Sequence, residues 1–288
     1  MIIVLGASST RLENRVADIL GCRTVQVERK VHADGESYVR FADDVRGEEL
    51  TIIQSCSPPQ DKSLVEILFM ASTAKELGAE RVDLVMPYFA YSREDMRFLA
   101  GEAVGANIVI KLLESVGVDS LTTFDIHNEE TMKVFSIDAC NLSAMPLIGE
   151  YFSRMSLVDP LVMTPDDGRP ERAGTVAREL GADWTYFEKK RNYVTGKVTT
   201  YEKEVSAKGR DVVVVDDIIS TGTTIANCVV SLKRQGARDV HVACTHPLLV
   251  DGAPCRLFEA GSKSIVGTDS IESPYSVISL AEIIASHI

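Results

Sequence analysis

The stretch Val212 to Thr224, VVVVDDIISTGTT, limits the possible folds more than any other part of the chain. Four consecutive valines make a strand buried on both faces, which places it inside a sheet covered by helices. Asp216 and Asp217 are expected to end that strand. A turn of Ser220, Thr221, Gly222, Thr223 and Thr224 then leads into a helical pattern from Ile225. Such a turn aims backbone N–H groups, hydroxyl donors and the positive end of a helix dipole at one point, which makes a cradle for an anion. It lacks the lysine of a nucleotide P-loop, because no GxxxxGK[ST] occurs in the chain. The two acids repel a bare phosphate but accept hydrogen bonds from sugar hydroxyls. The predicted ligand is a sugar phosphate. A helix cap needs one hydroxyl or carboxylate, whereas two acids and four hydroxyl residues share the nine positions Asp216 to Thr224.

The rest of the chain repeats the strand and helix alternation. Ile2 to Leu5, Thr51 to Ser55, Val82 to Tyr88 and Ser120 to Phe124 read as strands; Arg11 to Leu20, Lys62 to Leu77 and Gly101 to Val116 read as helices. A second series follows, with strands at Leu161 to Thr164, Trp184 to Phe187, Val212 to Val215, Val240 to Cys244 and Ser264 to Val266. Helices are expected at Glu171 to Leu180 and Thr223 to Gln235, and Asn141 to Tyr151 reads as the connecting segment. The pattern predicts an α/β protein of two domains, each a mainly parallel sheet flanked by helices. The expected division is 1–140 and 141–288, with the last helix able to pack on the N-terminal domain.

Composition narrows the function. The 288 residues carry a formal charge of −12, which argues against nucleic acid or an anionic membrane as partner. No apolar run approaches a membrane span and Met1 to Leu5 lacks the flanks of a signal peptide, so a cytoplasmic location is expected. The six cysteines form no CxxC pair, and neither a zinc site nor a disulfide framework is expected.

Other constellations gain meaning mainly in combination. His32-Ala33-Asp34-Gly35-Glu36 is a polar loop before the alternating pattern Ser37 to Phe41, and alone it is a turn signal. Tyr88 to Asp95 follows a strand end; its aromatic rings can stack on a purine while Arg93 reaches a phosphate, although aromatic clusters usually pack in a core. Asp125-Ile126-His127 puts an imidazole at a strand end, and Asp166 stands at another. Lys189-Lys190-Arg191, before the turn signal Thr195-Gly196-Lys197, reads as a mobile basic hairpin. Beside a phosphate cradle in an acidic chain it reads as a lid that meets substrate charge.

Taken in order, Asp34-Gly35-Glu36, Tyr91 to Asp95, Asp125 to His127, Thr164-Pro165-Asp166, Lys189 to Arg191 and Asp216 to Thr224 resemble the successive motifs of the ribose-phosphate pyrophosphokinase family. The last of them is also the signature of type I phosphoribosyltransferases, which would share only that one. The resemblance implies two phosphoribosyltransferase-like domains. It also implies a reaction passing the β,γ-diphosphoryl group of ATP to C1 of ribose 5-phosphate, giving 5-phosphoribosyl 1-diphosphate (PRPP) and AMP. Asp34, Gly35 and Glu36 would contact ATP from a loop lent by a neighbouring subunit, so a homo-oligomer, at least a dimer, is implied. Arg93 and Glu94 would hold nucleotide and phosphates, while His127 and Asp166 would serve Mg²⁺. Lys189 and Arg191 would be catalytic flap cations. Arg191, Asp216, Asp217, Ser220, Thr221, Gly222, Thr223 and Thr224 would hold ribose 5-phosphate. His32 stands where the family usually carries Phe, Glu94 where Gln is common, and Ser220 where many members carry a third Asp. The competing readings are a PRPP-consuming phosphoribosyltransferase and a non-catalytic regulatory paralogue.

Overall fold

The structure is a computed structural model that describes residues 2–5, 10–191, 198–201 and 205–288, and the statements below concern those residues. Along the chain lie β1 (Ile2–Leu5), α1 (Thr10–Leu20), β2 (Thr24–Val31), β3 (Ser37–Phe41), β4 (Glu49–Ile53), α2 (Gln60–Glu76), β5 (Arg81–Val85), α3 (Gly105–Ser115), β6 (Ser120–Phe124) and β7 (Asp138–Leu142). They build a seven-stranded sheet in the order β3-β2-β1-β4-β5-β6-β7. All pairs are parallel except β2 with β3, which close an antiparallel hairpin. The chain's direction of travel across the sheet reverses between β1 and β4, the kind of position at which open α/β sheets bind ligands.

Next come α4 (Met145–Ser153), β8 (Leu161–Thr164), α5 (Glu171–Leu180), β9 (Asp183–Tyr186), β10 (Glu188–Arg191), β11 (Val198–Tyr201), β12 (Val212–Ile219), α6 (Thr223–Arg234), β13 (Val240–Pro247), α7 (Ala253–Glu259), β14 (Ser264–Thr268), β15 (Ser276–Ile278) and α8 (Ala281–His287). A six-stranded parallel sheet has the order β15-β14-β13-β12-β8-β9, and β10 pairs antiparallel with β11. Its reversal falls between β8 and β12. Contacts divide the chain into two units: Met1–Leu142 with Asp269–Glu272 and Ser279–Ile288, and Ser143–Thr268 with Ser273–Ile278. Within the first unit α8 packs beside α1.

The valine run explains the second unit's core. Val212 and Val214 lie with Met163, Val242, Val229 and Leu232 on one side, whereas Val213 and Val215 lie with Val162, Phe152, Val176 and Val266 on the other. Successive side chains of a strand alternate in direction, and every valine of the run is fully buried. Each such burial contributes about 1.5–3 kcal/mol.

The α/β class and the mainly parallel sheets are as the sequence predicts. Several details differ. Asp216 and Asp217 do not end β12; the strand continues to Ile219, with Ile218 opposite His246 of β13. Asn141 to Tyr151 is not a plain connector, since it holds the end of β7 and most of α4. The third helix starts at Gly105 rather than Gly101. No helix among the described residues is long and apolar enough to cross a membrane.

Candidate functional site

The reversal point of the second sheet gathers the acid pair and its turn. Asp217 is buried, and Asp216 keeps a quarter of its side chain exposed. The Asp217 amide donates to the Asp216 carboxylate at 2.9 Å. Arg172, on α5, stands 3.1 Å from Asp217 and 3.6 Å from Asp216, so one guanidinium neutralises part of both charges. Burial, then the adjacent Asp217 carboxylate, push Asp216 well above the usual carboxylate range; Arg172 opposes the shift and Asp166 adds to it. A carboxyl that holds its proton readily can donate to a sugar oxygen while its neighbour accepts from a hydroxyl.

The turn after β12 is fixed by its neighbours. Gly222 has φ +72°, in the left-handed region that glycine enters without strain, and a Cβ there would stand 3.3 Å from Ala253 of α7. The Ser220 carbonyl accepts from the Val250 amide at 3.1 Å, and the Thr221 carbonyl accepts from Arg256. With its carbonyls turned to these partners, the turn leaves the Thr221, Thr223 and Thr224 side chains exposed, and α6 starts at Thr223 with no side-chain cap. Its first amides are therefore open to an external acceptor. On the neighbouring strand end, Asp166 is half-buried and accepts from the Gly168 amide at 3.0 Å.

In the first unit the loops after β5 and β6 are tied together. Asn128 donates to Asp95 at 2.6 Å, and its side-chain oxygen accepts from the Glu130 amide at 3.1 Å to cap a 3₁₀ turn, Glu129–Val134. His127 is thereby exposed beside the loop that carries Arg93 and Glu94. Tyr91 has φ +65° and Asp125 φ +36°, unusual values for residues with side chains, and both stand at strand carboxyl ends. Tyr91 donates its hydroxyl to Asp61, and that bond pushes the phenol up to about 12. A pocket of about 200 Å³ is lined by Gln60, Tyr88, Tyr91, Ser92, Arg93 and Glu94. Tyr88 and Phe89 are buried, with Phe89 edge-on to Phe135, so of the expected stacking rings only Tyr91 remains accessible. Glu94 lies against the start of α3, where its carboxylate would meet a Cβ added at Gly105 and where helix polarity favours a negative charge.

Asp34, Gly35 and Glu36 stand on a different connection from Arg93, which follows β5. They form the exposed tip of the β2–β3 hairpin, closed by His32 N–H to the Glu36 carbonyl at 2.8 Å. Between β2 and β5 lie β1 and β4, three strand spacings, or roughly 14 Å. The side chains of Lys189 and Arg191 lie outside the described part of the structure, as do Thr195, Gly196 and Lys197; the backbone pairs Lys189 with Thr200 and Arg191 with Val198.

Sequence reasoning missed Arg172, Arg256 and Asn128. The two arginines carry no local signal because their partners come from other elements. Asn128, directly after His127 at a strand end, could have been noticed.

Among the described residues no cluster of three or more His, Cys, Asp or Glu side chains is disposed to hold a metal ion. Asp166 and His127 each offer one donor. They stand in separate units, and a single protein donor is compatible with a magnesium ion that keeps its waters and takes phosphate oxygens rather than with a caged structural metal.

A parallel sheet with an acid pair and a hydroxyl-rich turn at its reversal point places the chain among the open α/β proteins that bind ligands at the carboxyl ends of their strands. Comparison with known proteins narrows the class. A family model for the N-terminal domain of ribose phosphate pyrophosphokinase matches residues 1–117, and a phosphoribosyl transferase domain model matches residues 144–276. The ribose-phosphate pyrophosphokinase of Methanothermobacter thermautotrophicus is 41% identical over 98% of both chains. That of Saccharolobus solfataricus is 38% identical over 94% of this chain and 93% of its own. The crystal structure of phosphoribosylpyrophosphate synthetase from Mycobacterium smegmatis superposes with a TM-score of 0.87 at 29% identity, covering 100% of this chain and 96% of that one. The chain belongs to the ribose-phosphate pyrophosphokinase family.

Proposed function

We propose that the chain transfers the β,γ-diphosphoryl group of ATP to the anomeric hydroxyl of ribose 5-phosphate, forming PRPP and AMP and so feeding nucleotide biosynthesis. The observation that carries this reading is full-length similarity to ribose-phosphate pyrophosphokinases in a chain that also keeps the acid pair and turn of the pentose site. The transfer forms a bond from the sugar's O1 to the β-phosphorus and breaks the bond from that phosphorus to the α,β-bridging oxygen. AMP leaves with the electron pair. The hydroxyl proton passes to solvent, since no side chain stands out as its acceptor.

In this reading the turn from Ser220 to Thr224 holds the 5-phosphate through open amides and hydroxyls, and Asp216 and Asp217 hold the ribose hydroxyls. Arg172 keeps both acids in place. Arg93, on the loop tied down by Asn128, takes the nucleotide phosphates, with Glu94 beside it. Asp34, Gly35 and Glu36 complete the nucleotide site of a second copy; their roughly 14 Å offset from β5 in their own sheet supports a contribution in trans. That makes a homo-oligomer, at least a dimer, part of the proposal. His127 and Asp166 would serve Mg²⁺, which supplies charge neutralisation across the triphosphate. Lys189 and Arg191 stabilise charge developing on the bridging oxygen. A cytoplasmic location fits an enzyme that draws on these substrates.

The experiment is an assay for AMP and PRPP from ATP, Mg²⁺ and ribose 5-phosphate. Release of AMP only when ribose 5-phosphate is present supports the proposal, and its absence with the folded protein overturns it. Lys189→Ala should lower kcat by about a hundredfold or more while the KM for ribose 5-phosphate changes little, because the flap acts mainly in the transition state. Near-normal turnover would remove the flap from the mechanism.

A further inference from the structure

Away from the acid pair, the second unit carries a groove of about 520 Å³ between α5 and the start of β9, within the range of small-molecule sites. It is lined by Pro170, Gly174, Ala177, Arg178, Ala182 and Trp184 among others, and by none of the residues from Asp216 to Thr224. Trp184 is the chain's one tryptophan and is 48% exposed, an unusual state for a ring that contributes so much when buried. Its indole rests against α5 at Gly174, where an added methyl would stand 3.4 Å from the ring. The helix backs the ring, and close to half of it stays open.

The charges around the groove are unevenly matched. Glu171 pairs with Arg169 at 3.3 Å, and Asp183, next to Trp184, pairs with Arg210 at 3.0 Å. The Arg178 guanidinium makes no hydrogen bond or ion pair among the described residues, and neither does the indole N–H. An accessible aromatic face therefore lies beside an unneutralised guanidinium in a chain of formal charge −12.

We propose that this groove binds a planar aromatic anion, with the ring stacked on Trp184 and the charged group paired with Arg178. An apolar ring alone would leave the guanidinium unused, and a small anion alone would leave the indole uncovered. A nucleoside monophosphate and an aromatic carboxylate share this chemistry.

The single tryptophan makes the test direct. The emission of the full-length protein is titrated separately with AMP, with 4-hydroxybenzoate and with ribose 5-phosphate, which has no ring. Saturable quenching by AMP or by 4-hydroxybenzoate is expected, and the arm that responds identifies the source of the anion. Arg178→Ala should raise the midpoint roughly fivefold, the loss of one charge-assisted contact of about 1 kcal/mol, with an unchanged circular dichroism spectrum. An absent response to both aromatic anions would overturn the proposal, as would an equal response to ribose 5-phosphate or a midpoint indifferent to Arg178→Ala. Emission that varies with protein concentration but not with ligand would overturn it in favour of a contact between copies. No step requires turnover, and AMP held at the proposed nucleotide site would give a midpoint indifferent to Arg178→Ala, so failure of this proposal and failure of the proposed reaction stay distinguishable.

Discussion

Arg172 holds a guanidinium nitrogen 3.1 Å from the carboxylate of Asp217, and both side chains are nearly withdrawn from solvent. A buried ion pair adds little net stability, but removing one partner leaves an uncompensated charge in a poor solvent for it. Arg172→Met should therefore destabilise the second unit by about 3 kcal/mol, seen as a lower urea midpoint. Adding Asp217→Asn should restore most of the loss. A stable single variant would show that the acids do not depend on this arginine.

Glu13 gives a pH dependence. It lies on α1, fully buried, and among the described residues no other residue hydrogen-bonds to its carboxylate. Burial raises it from 4.5 to about 8; its own backbone N–H and then Arg29 oppose the shift, and Glu272 and Asp269 reinforce it. The folded state thus holds a proton that the unfolded chain has released, so stability falls as pH rises from about 4.5 to 8 and levels off above. At pH 7 the penalty is on the order of 3 kcal/mol. Glu13→Gln should flatten that slope in urea titrations at pH 5, 6, 7 and 8, and an unchanged slope would clear Glu13 of the effect.

Gly222 tests the proposed pentose cradle. An alanine at φ +72° costs about 1–2 kcal/mol, and its methyl would press on Ala253 at 3.3 Å. Gly222→Ala should raise the KM for ribose 5-phosphate at least about tenfold, as that strain displaces the turn, with the KM for ATP little altered. Equal changes in both constants would assign the turn a general structural role.

Asn128 tests the nucleotide side. Its side chain joins the loops after β5 and β6 at 2.6 Å and caps the 3₁₀ turn. Asn128→Ala should raise the KM for ATP by roughly fivefold, about 1 kcal/mol of lost hydrogen bonding, while that for ribose 5-phosphate stays put. Asn128→Asp, which sets a second carboxylate against Asp95, should be worse. A rise confined to ribose 5-phosphate would contradict the assignment of this loop to ATP.

Much of the architecture is legible in local pattern. The run Val212 to Val215 announces a doubly covered strand because its apolar side chains must be buried on both faces, and the turn from Ser220 to Thr224 is recognisable by composition. β2 escaped notice because its buried residues, Val25 and Val27, alternate with Gln26 and charged Glu28 to Lys30, so no apolar run marks it. α4 reads as a connector because Pro146 falls at its start, a place where proline is in fact compatible with a helix's first turn. The acids were placed at a strand end because carboxylates are poor strand formers; the ladder to β13 overrode that preference.

The sequence alone determined the α/β class, the motif order and the hydroxyl-rich make-up of the turn after β12, since these rest on side-chain periodicity and on residue types adjacent along the chain. The tertiary structure decided that Arg172 answers Asp217, that Asn128 clamps Asp95, that Glu13 is buried and that Trp184 is left half open beside Arg178. Those relationships depend on which elements pack together, and packing brings charges from separate segments into a low-dielectric setting where distance and burial, rather than order in the chain, set their energies.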